Sequence, residues 1–221
     1  MKSKYIAWVI ASLCVVSLKS FGQQRLDDGK TIYFGQSIEA ARNLFGAAPV
    51  DDPSPVARKG IDRKIDAAGV SLTFDTGKLD SIEFKPGYQF RNPPAPYREQ
   101  WKNLDPIGDA RIKAGMTHDE FTAYLKAWEE RANKLGARKV DSEDLATNEY
   151  GISVTKESFI DSINVSLGPS RKTGRGGRWN DEWTAFFATK MDHQLSGVPV
   201  GSLQSLSVFC DEFNTVARKK Q

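Results

Sequence analysis

Histidine and cysteine are nearly absent from these 221 residues, with two of each, and there are only three methionines. So few histidines and cysteines rule out the cysteine–histidine spacings of a structural zinc site. Cys14 lies inside an apolar leader, which leaves Cys210 as the one cysteine beyond it, so no disulfide can form within the remaining chain. Long hydrophobic runs are also missing. The longest, Ile6 to Leu18, falls short of the roughly 20 residues needed to cross a bilayer. Net charge is small, at +3, with 31 basic and 28 acidic side chains. Lys2, Lys4 and Lys19 precede residue 23 with no acid among them, so 28 bases face 28 acids beyond that point. That balance gives no support for nucleic-acid binding, which calls for a basic face, and no nucleic acid is expected as a partner.

What is present begins with a targeting pattern. Lys2 and Lys4, the apolar run and then Ser20-Phe21-Gly22 form the three parts of a cleavable secretory signal over residues 1–22. Export to the periplasm or the extracellular space is expected, with cleavage near Gly22 and no lasting membrane anchor. Leu13 stands before Cys14 where lipidation would need a small residue. The remaining 199 or so residues can bury roughly 70% of their unfolded surface, so stability rests on a packed core.

The dominant internal feature is a repetition. Gly69-Val-Ser-Leu-Thr73 runs on to Leu79-Asp-Ser-Ile-Glu-Phe84, and Gly151-Ile-Ser-Val-Thr155 runs on to Ile160-Asp-Ser-Ile-Asn-Val165. Each follows a matching helix start, Gly35-Gln-Ser37 and Gly115-Met-Thr117, at offsets of 80 to 82 residues. Ser37 reads as an N-cap, and Thr117-His-Asp-Glu120 as a capping box that satisfies two free amides reciprocally. Phe121, Tyr124, Leu125, Trp128, Ala132 and Leu135 then recur at helical spacing. Asp75-Thr-Gly-Lys78 is a hairpin turn between alternating runs. Arg63-Lys-Ile-Asp66 is echoed by Arg138-Lys-Val-Asp141.

The expected fold is therefore α+β: two tandem α-β-β-β units, each a helix packed on an antiparallel meander, plus a helical C-terminal extension. The expected boundaries are 23–84 for the first repeat, 85–107 for a proline-rich aromatic connector and 108–168 for the second repeat. A Gly/Arg loop follows over 169–180, then the extension over 181–221. Helix is expected in that extension from Trp183, Phe186, Phe187 and Met191, and from Leu203, Leu206, Phe209, Phe213 and Val216. Leu203-Gln-Ser-Leu-Ser-Val208 also echoes the repeat strands, so a strand is the alternative there.

Chemistry-bearing groups are sparse. His118 within the capping sequence is expected to face solvent, and His193 to complement a helix C-terminus. Cys210 between Phe209 and Asp211 reads as a packed thiol. Asp27-Asp28 and Asp51-Asp52 lack the further oxygen ligands that calcium requires. Asp80 and Asp161, at matching repeat positions, read as polar ends of strands. No catalytic residue, metal site or cofactor is expected. Two groups suit recognition better. Tyr88, Phe90, Tyr97 and Trp101 in the connector could face a partner or fold back over the sheets. Arg171, Lys172, Arg175, Arg178 and Trp179 in the Gly/Arg loop could grip an acidic partner.

The repeated Gly-x-Ser/Thr helix starts, the Leu44-Phe45-Gly46 ending and the Phe74-Asp-Thr-Gly-Lys-Leu79 hairpin resemble the beta-lactamase-inhibitor-protein fold. Each single unit is similar to the BamE (SmpA/OmlA) group of envelope proteins. The resemblance covers 32–84 and 112–168, and it implies a protein-binding role of the inhibitor, immunity or envelope-assembly kind. The chain lacks the lipidated cysteine of the latter and the disulfides of the former. The alternatives from other classes are a cell-wall or polysaccharide hydrolase with carboxylates brought together from distant positions, and a small-ligand carrier.

Overall fold

A computed structural model describes residues 32–45, 50–51, 63–67, 69–75, 77–88, 99–107, 109–172 and 178–210. The helices are α1 (Ile38–Phe45), α2 (His118–Lys134) and α3 (Lys190–Ser196), with a 3-10 helix at Glu99–Leu104. The strands are β1 (Val50–Asp51), β2 (Arg63–Ala67), β3 (Val70–Asp75), β4 (Lys78–Phe84), β5 (Arg138–Lys139), β6 (Glu149–Lys156), β7 (Asp161–Lys172), β8 (Arg178–Phe187) and β9 (Leu203–Phe209). All nine form one sheet in the order β1-β2-β3-β4-β9-β8-β7-β6-β5. Every neighbouring pair is antiparallel except β5 with β6.

This corrects the expected fold class. The two α-β-β-β units with a helical extension are replaced by one continuous mixed sheet, and the segment read as a helical extension is, up to residue 210, β8, α3 and β9; Phe213 and Val216 lie outside the described residues. Trp183, Phe186 and Phe187 misled because they also fit a strand. Trp183, Ala185 and Phe187 point into the core, while Glu182, Thr184 and Phe186 point away. The seven-residue α3 does carry local signals. Thr189 and Asp192 form a capping box, and Gly197 ends the helix in the left-handed conformation.

The ladder also pairs the halves differently from the repeat read in the sequence. Leu79 donates its amide to Gln36 O (2.9 Å), just before α1, and Leu203 donates its amide to Met116 O (2.7 Å), just before α2. Ser37 bridges to Lys78, and Thr117 bridges to Ser202. Phe74 opposes Leu79 beside a register shift after Thr73, and Phe187 opposes Leu203 beside a shift after Phe186. Leu79 thus corresponds to Leu203, not to Ile160, and Asp80 to Gln204, not to Asp161. Both matched strands follow a glycine at positive φ, Gly77 (78°) and Gly201 (77°), where a side chain would be strained.

Alternation splits the sheet into two unlike faces. The row Ile65–Leu72–Ile82–Val208–Trp183–Val165–Ile152 crosses seven strands, and every member except the partly buried Ile152 is buried. The row Val70–Phe84–Leu206–Ala185–Ile163–Val154 lies on the same face and is buried up to Val154, which is exposed. Helix α2 contributes Phe121, Tyr124, Leu125, Trp128 and Ala132 to the same core. Trp128 meets Trp183 edge-on (5.6 Å between ring centroids, 72°) and Tyr150 likewise (5.1 Å, 87°), the offset that aromatic quadrupoles favour.

The connector is stapled to this core by two indoles. Trp101, from the 3-10 helix, donates to Gly168 O (2.8 Å), and Trp128 donates to Leu104 O (2.7 Å). The carbonyl reached by Trp101 sits where chains crowd together: a Cβ on Gly168 would lie 1.9 Å from Ala146 O. Beyond the staple, Arg111 donates through Nε (2.8 Å) to Asp109, which also accepts from Tyr124 Oη (3.1 Å). The Arg111 guanidinium lies over the Tyr124 ring at 5.4 Å. Burial opposes ionisation of Asp109, but the Arg111 guanidinium and amide together outweigh it and hold the carboxyl below its ordinary range.

Trp101→Phe keeps most of the buried ring but removes the indole hydrogen bond to the Gly168 carbonyl, and should cost about 1–2 kcal/mol. Trp101→Ala should cost about 3–5 kcal/mol. Urea unfolding of the two variants checks the order; a Trp101→Phe variant as stable as the parent chain would mean that the hydrogen bond adds nothing, and equal losses would mean that the ring adds nothing beyond it.

Candidate recognition face

The sheet face turned away from the core carries two further polar rows. One runs Asp66–Ser71–Glu83–Ser207–Thr184–Asn164–Ser153 across β2, β3, β4, β9, β8, β7 and β6. The other, two residues along, runs Lys64–Thr73–Ser81–Phe209–Glu182–Ser166–Gly151 across the same strands. Hydroxyl and amide side chains prevail, and all of these residues are half-buried or exposed. The cause lies in the strand sequences, where Ser, Thr or Asn alternates with an apolar residue, as in Val70-Ser-Leu-Thr-Phe74 and Ser162-Ile-Asn-Val-Ser166.

Short contacts tie these side chains together. Asn164 Nδ2 donates to Thr184 Oγ1 (2.9 Å), and Ser166 Oγ donates to Asn164 Oδ1 (3.0 Å). Ser81 and Ser207 share a hydroxyl contact at 3.3 Å across the β4–β9 seam. Ser71 donates to Asp66 (2.5 Å), and Lys64 lies 3.5 Å from the same carboxylate. Glu182 occupies the middle of the face between Phe209 and Ser166. Burial raises its pKa above the ordinary glutamate range, and a hydrogen bond from Asn164 only partly opposes that.

One end of the sheet is apolar. The β6–β7 turn exposes Phe159 and Ile160, and the β8–β9 connection exposes Met191, Leu195 and Val200. Phe186, on the polar face, reaches the same end because it opposes Ser162 and Ser205.

The candidates drawn from the sequence fall elsewhere. Tyr88 and Trp101 are buried (7% and 2% exposed) and belong to the core, so neither faces a partner. Phe90 and Tyr97 lie outside the described residues. Arg171 has a neighbour of its own, with Nη2 at 4.0 Å from the fully buried Asp181, while Lys172 is exposed. Arg178 and Trp179 open β8 opposite Lys172 and Arg171. Their side chains, and all of Arg175, lie outside the described residues. The Gly/Arg loop is shorter than expected, because β7 runs to Lys172 and β8 starts at Arg178.

His118 does not face open solvent. Its ring packs on Phe187 (4.8 Å between centroids), and Nε2 stands 3.9 Å from Asp161 Oδ1. Asp161 and Asp80 are buried (7% and 6% exposed), not the open strand ends expected of them. His193 Nδ1 sits 2.9 Å from Val198 O, and Cys210 is buried with its amide donating to Asp80 O. Among the described residues, no group of three or more His, Cys, Asp or Glu is placed to hold a metal ion. No helix among them is long and apolar enough to cross a membrane.

One further carboxyl is displaced. Asp105, in the connector, is half-buried as a residue, yet its carboxyl is enclosed. Burial pushes it up to about 7 against the stabilising Ile107 amide. It sits near Tyr124, in the connector.

The comparisons with known proteins return nothing: no family model, no curated protein and no solved structure matches this chain.

A raised glutamate pKa means that the folded state holds its proton at a pH where the unfolded chain has lost it, so Glu182 costs stability as pH rises through that window. Glu182→Gln should therefore raise the melting temperature at neutral pH. The gain should vanish at pH values below the ordinary glutamate range. Melting curves from acid to neutral pH check this; a gain that did not depend on pH would contradict the assignment.

Proposed function

We infer that this chain is an exported, non-enzymatic binding protein whose polar sheet face recognises another protein. The observation that carries the reading is the inequality of the two faces. One is closed by α2 and the connector; the other sets out two rows of short hydroxyl, amide and carboxylate side chains that no described element covers. Such side chains lose little rotamer freedom when buried, so a rigid sheet bearing them can be covered at small entropic cost. Their hydroxyls donate or accept as the partner requires. The apolar end supplied by Phe159, Ile160, Phe186 and Met191 adds non-directional affinity beside them. Roles as an inhibitor, an immunity protein or an envelope-assembly factor all use a surface of this kind. Export rests on the Lys2–Gly22 pattern.

Thr184 lies at the centre of the first polar row, and an arginine there would stand across the face without disturbing the core. Crosslinked capture from the cell-envelope fraction should lose its partner with Thr184→Arg. Asp119→Arg, on the exposed side of α2, should keep it at equal melting temperature. Capture that ignored Thr184→Arg, or fell equally with both, would rule out the sheet face.

A further inference from the structure

The charges of the polar face do not balance. Its two rows hold four ionisable side chains, Lys64, Asp66, Glu83 and Glu182. Lys64 is taken up by Asp66 at 3.5 Å. That leaves Glu83 and Glu182, neither in an ion pair with any described residue, and no base to match them. Glu83 is exposed, and water screens it. Glu182 is half-buried, at the middle of the sheet, with strands on both sides and no ion pair to a cation among the described residues.

The Asn164 side chain, which favours the charged form of Glu182, is itself held by Thr184 and by Ser166. On the other flank Phe209 is the direct cross-strand neighbour, half-buried on the same face. A half-buried carboxylate beside an aromatic ring suits one kind of ligand group. A guanidinium can donate to the carboxylate while its plane or its alkyl stem lies against the ring.

We propose that Glu182 is the anchor of the face and receives an arginine side chain from an extended, basic segment of the partner protein. The proposal rests on the reading that this face binds protein. The charge count favours a basic partner: among the described residues the two rows offer two acids without an ion pair and no base without an acid. The burial that disfavours the charged form of Glu182 in the free protein also strengthens its attraction for an incoming cation, because the local dielectric is low. The free protein thus gives up stability at a position where the bound cation restores it.

The test uses blocked Ala-Arg-Ala and its citrulline counterpart, which has the same shape and no charge, titrated into the isotope-labelled full chain. Amide shifts should saturate with the arginine peptide and centre on Asn164, Glu182, Thr184 and Ser207. The citrulline peptide should bind about tenfold more weakly. Glu182→Gln, expected to fold at least as stably, should abolish the localised response, whereas Glu130→Gln, on the exposed side of α2, should leave the affinity within about twofold. Equal binding of the two peptides, shifts centred elsewhere, or a response that survives Glu182→Gln would each overturn the anchor. The outcome is separable from that of the broader reading. If the peptides fail while Thr184→Arg still abolishes capture, the face binds protein without a cation at Glu182.

Discussion

Strand β9 carries a ladder to β4 on one side and to β8 on the other, and the continuity of the sheet depends on it. Four residue pairs join it to β4, from Ser81 with Phe209 to Phe84 with Leu206. Without them the chain would have two smaller sheets, each with an open edge of unpaired amides and carbonyls. The seam also aligns the rows. Ile82 meets Val208 on the buried side, and Glu83 meets Ser207 on the open side. A slip of one residue would put the Ser207 hydroxyl in the core and the Val208 side chain in water. Burial of one face therefore fixes the register, and the register assembles the polar rows from seven strands.

The core meets the connector through hydrogen bonds as well as apolar contact. Trp101 and Trp128 each bury a large ring and spend the indole N–H on a carbonyl of a segment distant in sequence, Gly168 and Leu104. Aromatic residues that look available for recognition when read along the chain are thus used to close it. The same holds for Arg171, which faces the buried Asp181. The residues left outward are the smaller ones, whose individual signals are weak and whose effect comes from being placed side by side.

Glu182 shows how stability and recognition pull apart in such an arrangement. A glutamine would fill the same space without the penalty of a poorly solvated charge. The carboxylate is instead placed beside Asn164 and next to Phe209 on the half-buried polar face. Isolated destabilising groups of this sort are expected where binding, and not folding, benefits from them. Asp105 is a second carboxyl that burial holds above its ordinary range, but it lies in the connector near Tyr124.

Sequence by itself determined the local elements whose signals are local. Thr117 and Glu120 cap α2, the stripe from Phe121 to Ala132 faces the core, and the Asp75–Lys78 turn closes a hairpin, because each depends on neighbours within a few residues. The alternation that makes one face polar was also legible in Val70–Phe74 and Ser162–Ser166. Trp183, Phe186 and Phe187 fit both helical and strand periods, and nothing local separates the two; only pairing with β7 and β9 decided for strand. The echo of Leu79–Phe84 in Leu203–Val208 was visible, but its precedence over Ile160–Val165 was not. It depends on hydrogen bonds from Leu79 to Gln36 and from Leu203 to Met116, the second spanning 87 residues. Tertiary structure alone could set Glu182 beside Phe209 and Asn164, since cross-strand neighbours are chosen by register and register is chosen by what the whole sheet must bury.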